Sequence, residues 1–179
     1  MTATDPHQPG DIILTQITGK IGKLIEWGQW LNGDGFIDFE HAALYKGNGI
    51  LIEAEPGGAR ERPLSEYTGR SIYWSTGHIA LTAAERANIV AAGVKYVQAN
   101  NGRGVPYSFL DYDALAVHRL HIPVPGLKQY IASTGHMICS QLVDQCYADA
   151  GVHLFTDNRW PGYVTPGDIY DVIRLEKLA

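Results

Sequence analysis

The chain has 179 residues, 45% hydrophobic and 18% charged, a globular composition that excludes a disordered, collagen-like or coiled-coil chain and makes one domain over 1–179 the expectation. Fourteen Lys and Arg against nineteen Asp and Glu leave a formal net charge of −5, so no positive field exists to draw in nucleic acid or anionic lipid. No apolar run approaches the roughly 20 residues that span a bilayer, and no integral membrane segment is expected. Residues 1–9 are polar, carry two prolines and have no apolar stretch of a secretory signal; they read as a flexible leader. A soluble chain, cytoplasmic by default, is the expectation, with non-Sec export or delivery in a larger assembly left open.

Asp11 to Thr15 reads as a short buried strand, and Lys20 to Leu31, with Ile21, Leu24, Ile25 and Leu31 near helical spacing, as a short helix. Asn32 to Gly35 is turn chemistry. From Glu40 to Glu55 two alternating runs flank Gly47-Asn48-Gly49, which predicts a β-hairpin. Gly57-Gly58 and Pro63 break the pattern, and Ser71 to Ser75 reads as another strand. Thr82 with Glu85 forms a capping box opening a long helix whose face is Ala87, Val90, Val94 and Val97, stopped at Asn100-Asn101-Gly102. Gly104 to Pro125 reads as mixed loop. From Met137 to Ala150 a helix is predicted, with Cys139, Leu142, Val143, Cys146, Tyr147 and Ala150 on one stripe and Gly151 as its stop. Ile169 to Leu175 reads as closing strand, so the fold class expected is α+β.

With a three-residue loop setting the hairpin register, Leu44 opposes Ile52, and His41 opposes Glu55 and lies diagonal to Glu53. One face then carries a His and two carboxylates. A carboxylate accepting an imidazole N–H fixes the tautomer and favours the charged ring, as a general base requires; the competing reading is a surface His beside two solvated Glu. Cys139 stands at a helix start, where the helix dipole and a nearby imidazolium would lower a thiol pKa and unpaired N–H groups would hold an oxyanion. The competing reading there is a packed core Cys, which is the reading for Cys146. The two cysteines, seven apart on one helix, are separated by roughly 10 Å and read as free thiols.

The run from His41 through Tyr45 to Glu53, preceded by Gly10-Asp11-Ile-Ile and followed by Ile138-Cys139-Ser140-Gln-Leu-Val143, resembles the circularly permuted branch of the NlpC-type, papain-like cysteine hydrolases. Within that branch it resembles the YiiX/YaeF-like proteins, and lecithin:retinol acyltransferase-like enzymes share the order of an early Gly-Asp strand, a His, a polar residue twelve positions on and a late Cys opening a helix. The likeness runs from Gly10 to about Leu175 and takes in Val105-Pro-Tyr107 and Thr165-Pro-Gly-Asp168. It implies an antiparallel sheet or half-barrel packed against the Cys helix, with Cys139 as nucleophile, His41 as base and acid, and Glu53 orienting His41. The acyltransferase branch has His at the third position, so Glu53 favours the hydrolase branch. Ser-Gln after the Cys departs from the family pattern.

These readings converge on a hydrolase cleaving an amide-type bond in a peptide, a peptidoglycan stem peptide or a lipidated amide or ester through a thioacyl-enzyme. The alternatives are a thiol acyltransferase and a catalytically silent binding protein. Tyr107, Tyr45 and Glu55 are the candidates for oxyanion or substrate contact, Tyr107 being equally readable as a packed aromatic. No cofactor is expected. His118 and His121, at i, i+3, lack a third ligand and are not read as a metal site; His136, three residues before Cys139, is a candidate for lining the cleft or a plain loop residue. The glycines near the hairpin lack the Lys-Ser/Thr helix start of a phosphate cradle. Trp27, Trp30, Trp74 and Trp160 are core or groove material.

Overall fold

A computed structural model describes residues 6–16, 39–108, 124–126, 135–157, 159 and 163–176. The helix expected at Lys20 to Leu31, the turn at Asn32 to Gly35, most of the Gly104 to Pro125 loop, His118, His121, Trp27, Trp30 and Trp160 lie outside the described residues.

The fold is α+β. Strands β1 (Ile12–Thr15), β2 (His41–Gly47), β3 (Ile50–Glu55), β4 (Gly58–Pro63) and β5 (Ile72–Trp74) form an antiparallel sheet in the order β4-β3-β2-β1-β5. A 3-10 turn (Leu64–Tyr67) follows β4, and helices α1 (Ala83–Gly102), α2 (Cys139–Asp149) and α3 (Pro166–Glu176) complete the described elements. Strand alternation divides the sheet's side chains. Ile12, Leu14, Ala42, Leu44, Ile52 and Ala54 join Ile89 of α1, Leu142, Val143, Cys146 and Tyr147 of α2, and Ile169 and Ile173 of α3 in the main core. Ile13, Ala43, Tyr45, Leu51 and Tyr67 form a second, smaller cluster.

The hairpin keeps the expected register, Leu44 opposite Ile52, by a different route. Asn48 and Gly49 both have positive φ (54° and 71°), a two-residue Asn-Gly turn of the primed kind, and a bulge between Tyr45 and Gly47 supplies the residue that the three-residue loop was expected to hold.

Four expectations are corrected. Gly58 to Pro63, read as broken pattern, is the edge strand β4: its Arg-Glu-Arg sequence lacks apolar alternation because ion pairs rather than apolar contacts hold these side chains, and Pro63 is tolerated at the strand's end. Ile169 to Leu175, read as strand, belongs to α3. Thr165 and Asp168 cap it reciprocally, Thr165 N–H donating to Asp168 Oδ2 at 2.8 Å and Asp168 N–H to Thr165 Oγ1 at 3.1 Å, with Pro166 in the first helical position.

The buried face of α1 is Ile89, Ala92 and Gly93, with Val94 and Val97 partly buried beside it and Ala87 exposed. A Cβ on Gly93 would stand 3.0 Å from Ile52 and 3.1 Å from Leu44, so a glycine is what brings helix and sheet together. The Thr82–Glu85 capping box is present, and left-handed Asn100 and Asn101 end the regular helix.

The leader, lastly, is held from residue 7 on. His7 stacks on Trp74 at 3.6 Å, Gln8 N–H donates to Asp11 and Pro9 C=O accepts from Arg86. Among the described residues no helix is long and apolar enough to cross a membrane.

Candidate active site

Cys139 is the first residue of α2 and 1% exposed. Ile138, the N-cap, has no oxygen with which to cap the first turn; its own N–H donates to Gln141 Oε1 at 2.8 Å, and its carbonyl accepts the first helical bond from Leu142. Ser140 Oγ donates to Val164 C=O at 2.8 Å and fixes the helix start to the segment entering α3.

His41 opens β2 and is 3% exposed, while Glu53, on the neighbouring strand, is fully buried. His41 Nε2 and Glu53 Oε2 are 2.9 Å apart, and because an ionised carboxylate only accepts, Nε2 carries the proton. That leaves Nδ1 for Cys139, whose side chain is hydrogen-bonded to the same ring. Burial alone would push the imidazole down. The charge of Cys139, the hydrogen bond with it, and the hydrogen bond and charge of Glu53 outweigh burial and raise His41 from its ordinary 6.5 to about 10. A charged imidazole is thereby held between a sulfur and a carboxylate, an arrangement able to keep a thiol deprotonated and to move a proton at Nδ1.

Glu53 Oε2 accepts a second hydrogen bond, from Tyr67 Oη, a residue the sequence reading did not single out. The rings of Tyr67 and His41 lie 6.1 Å apart and within 7° of parallel. Glu53 Oε1 is buried without a hydrogen bond among the described residues, with Arg62 Nε 3.5 Å away as an ionic neighbour. Glu55, two residues on, pairs with Arg60 and Arg62; burial would raise its carboxyl, but these hydrogen bonds and the guanidinium charge hold it below the ordinary carboxylate value. Ligand atoms of His41, Glu53 and Glu55 lie within 4.8 Å of one another. Guanidinium groups already balance the carboxylates there, so the set reads as a closed ion network rather than an open metal centre.

The structure thus brings together Cys139, His41, Glu53 and, at the margin, Glu55. Tyr107 is placed beside the approach to Cys139: it bridges Met137 in parallel, and Met137 N–H donates to Pro106 C=O at 3.0 Å. Tyr45 stands apart. It is 1% exposed in the second cluster, four residues or about 13 Å along β2 from His41, with its hydroxyl accepting from Gly49 N–H at the turn. Cys146 lies in the main core, where burial, then the charges of Asp149 and Asp144, push its thiol far up. Both cysteines are free thiols. Tyr67 closes the 3-10 turn fourteen residues after Glu53, and the signal that could have found it is the strand reading of Gly58 to Pro63, which returns the chain alongside β3.

Compared with protein-family models and with curated proteins, the chain gives no match.

Proposed function

We propose that the protein is a cysteine hydrolase of amide-type bonds with a permuted papain-like, NlpC-type fold, acting on a peptide, a peptidoglycan stem peptide or a lipidated amide or ester. The observation that carries this reading is the buried series Cys139–His41–Glu53 at the N-terminus of α2. In the first half-reaction the Cys139 thiolate adds to the carbonyl carbon, forming a C–S bond, and the oxyanion is held by N–H groups of the first turn. Collapse breaks the bond to the leaving amine or alcohol, which takes the proton from His41 Nδ1. In the second, Nδ1 takes a proton from water as the oxygen adds to the thioester; the C–S bond breaks, the acid departs, and the thiolate–imidazolium pair is restored. Glu53 accepts from Nε2–H throughout and keeps the ring oriented.

The test is alkylation of Cys139 and Cys146 by iodoacetamide from pH 4 to 10, read site by site by mass spectrometry in wild type and His41→Ala. Cys139 should react well below the pH at which an ordinary thiol ionises, and that reactivity should vanish without His41. A Cys139 as slow as buried Cys146 and indifferent to His41 would overturn the reading.

A further inference from the structure

We propose that Tyr67 is a positioning residue for the Cys139–His41–Glu53 series: its hydroxyl takes part of the charge of the carboxylate oxygen that receives His41 Nε2–H, and so keeps His41 able to release its Nδ1 proton to the leaving group. The inference rests on the hydrolase reading and adds to it a residue that sets the basicity of the acid–base group.

Three observations carry it. The hydrogen bonds to Glu53 from His41 and from Tyr67 converge on Oε2, while Oε1 has none among the described residues. Glu53 is fully buried, so the charge on Oε2 is governed by these two donors rather than by bulk solvent. Tyr67 is itself fixed: it is 5% exposed within the second cluster, and the Arg70 guanidinium lies 4.9 Å over its ring. Burial, followed by the charge of Glu53 and the bond to it, pushes the Tyr67 hydroxyl well above its ordinary value, so it stays a neutral donor throughout the working range.

Among the described residues, the charged and titratable groups around His41 are Cys139 from α2, Glu53 and the more distant Glu55 from β3, Tyr67 from the 3-10 turn, and, through the carboxylates, Arg60 and Arg62 from β4. Among the described residues, Tyr67 and Arg62 are the groups besides His41 that act on Glu53. Of these, Tyr67 alone makes a hydrogen bond to Glu53. A carboxylate facing a buried imidazolium with no other donor binds its proton hard, which suits a stable ion pair but not a general acid. A second donor on the same oxygen moderates that pull and also fixes which oxygen faces the ring.

The experiment is a titration of His41 by its imidazole nitrogen resonances in the full chain, in wild type, Tyr67→Phe and a protein carrying 3-fluorotyrosine at position 67. Phenylalanine keeps the packing and removes the donor, so His41 should hold its proton to a pH higher by on the order of half a unit to one unit. Its Nε2–H resonance should move downfield. Fluorotyrosine keeps ring and hydroxyl, and with them the fold if Tyr67→Phe proves unstable; as the more acidic donor it should move His41 the other way. Unchanged His41 titration in both variants, or shifts of the opposite sign, would overturn the role given to Tyr67. Cys139 alkylation in the same wild-type sample is the separate arm: alkylation that ignores His41 overturns the hydrolase reading itself, whatever the titration gives.

Discussion

Glu53 and Glu55 stand two residues apart on one strand, yet burial separates their energetics. Glu53 is fully buried with His41 on one side, whereas the Glu55 side chain is 26% exposed and shares arginines that are themselves about one-third exposed. Removing a buried partner strands the other charge, and removing a half-solvated one does not. Glu53→Ala should therefore lower unfolding free energy by about 3–5 kcal/mol, and Glu55→Ala by less than about 1 kcal/mol, both read from urea denaturation at pH 7. Equal losses would show that the burial difference does not govern the pair. Hairpin register is why His41 and Glu53 were legible in the sequence: a period of two and a short loop around Gly47-Asn48-Gly49 suffice to put them on one face, but not to tell the buried carboxylate from the half-exposed one. Tyr67 was not legible, because its contact depends on the path of a polar segment between two strands. Tyr45 shows the converse, a residue that the sequence put forward for the site and whose hydroxyl instead accepts from Gly49 N–H at the hairpin turn.

Among the elements, β4 has the least sequence signal and a large part in holding the site. It carries Arg60 and Arg62 to the carboxylates of β3, and its outer edge is met by the segment after α1, where Ala59 N–H donates to Val105 C=O at 2.8 Å. This approach depends on Gly104, which has a φ of 74°; a Cβ there would collide with the Ala59 carbonyl. Gly104→Ala adds that collision to left-handed strain and should cost about 2–4 kcal/mol, checked by thermal and urea unfolding. Gly49→Ala isolates the strain, since no described residue lies within 4 Å of its Cβ position, and should cost only about 1 kcal/mol. If the two substitutions cost the same, close packing of 103–105 on β4 is not what holds this edge. Helices α1 and α2 were legible from a capping box and an apolar stripe. The third was missed because the Ile169 to Leu175 run is too short for periodicity to decide between strand and helix, and the deciding signal lay upstream in Thr165-Pro-Gly-Asp168.

For the whole molecule, the titrating groups buried by the fold set a direction for stability in alkali. His41 is raised from 6.5 to about 10, and Cys146, Tyr67 and Tyr147 are raised from ordinary values of 9.0, 10.0 and 10.0, burial leading each of the last three. Each group holds a proton in the folded chain at a pH where the unfolded chain has released it. Unfolding then releases protons, so the free energy of unfolding falls as pH rises. The His41 contribution is fully present below pH 6.5 and is lost as pH rises through about 10; the thiol and phenol contributions begin to fall only above 9 and 10. The urea midpoint should therefore decline steadily from pH 8.5 to 10.5, and Cys146→Ala, though less stable throughout, should show a shallower decline because one of these protons is gone. A midpoint level across that range, or a Cys146→Ala slope equal to wild type, would mean that the buried thiol and phenols do not keep their protons in the fold. That in turn would remove the contrast on which the reactivity of Cys139 is judged, since a buried Cys146 that ionises with ordinary ease would no longer mark the inert limit of a thiol in this core.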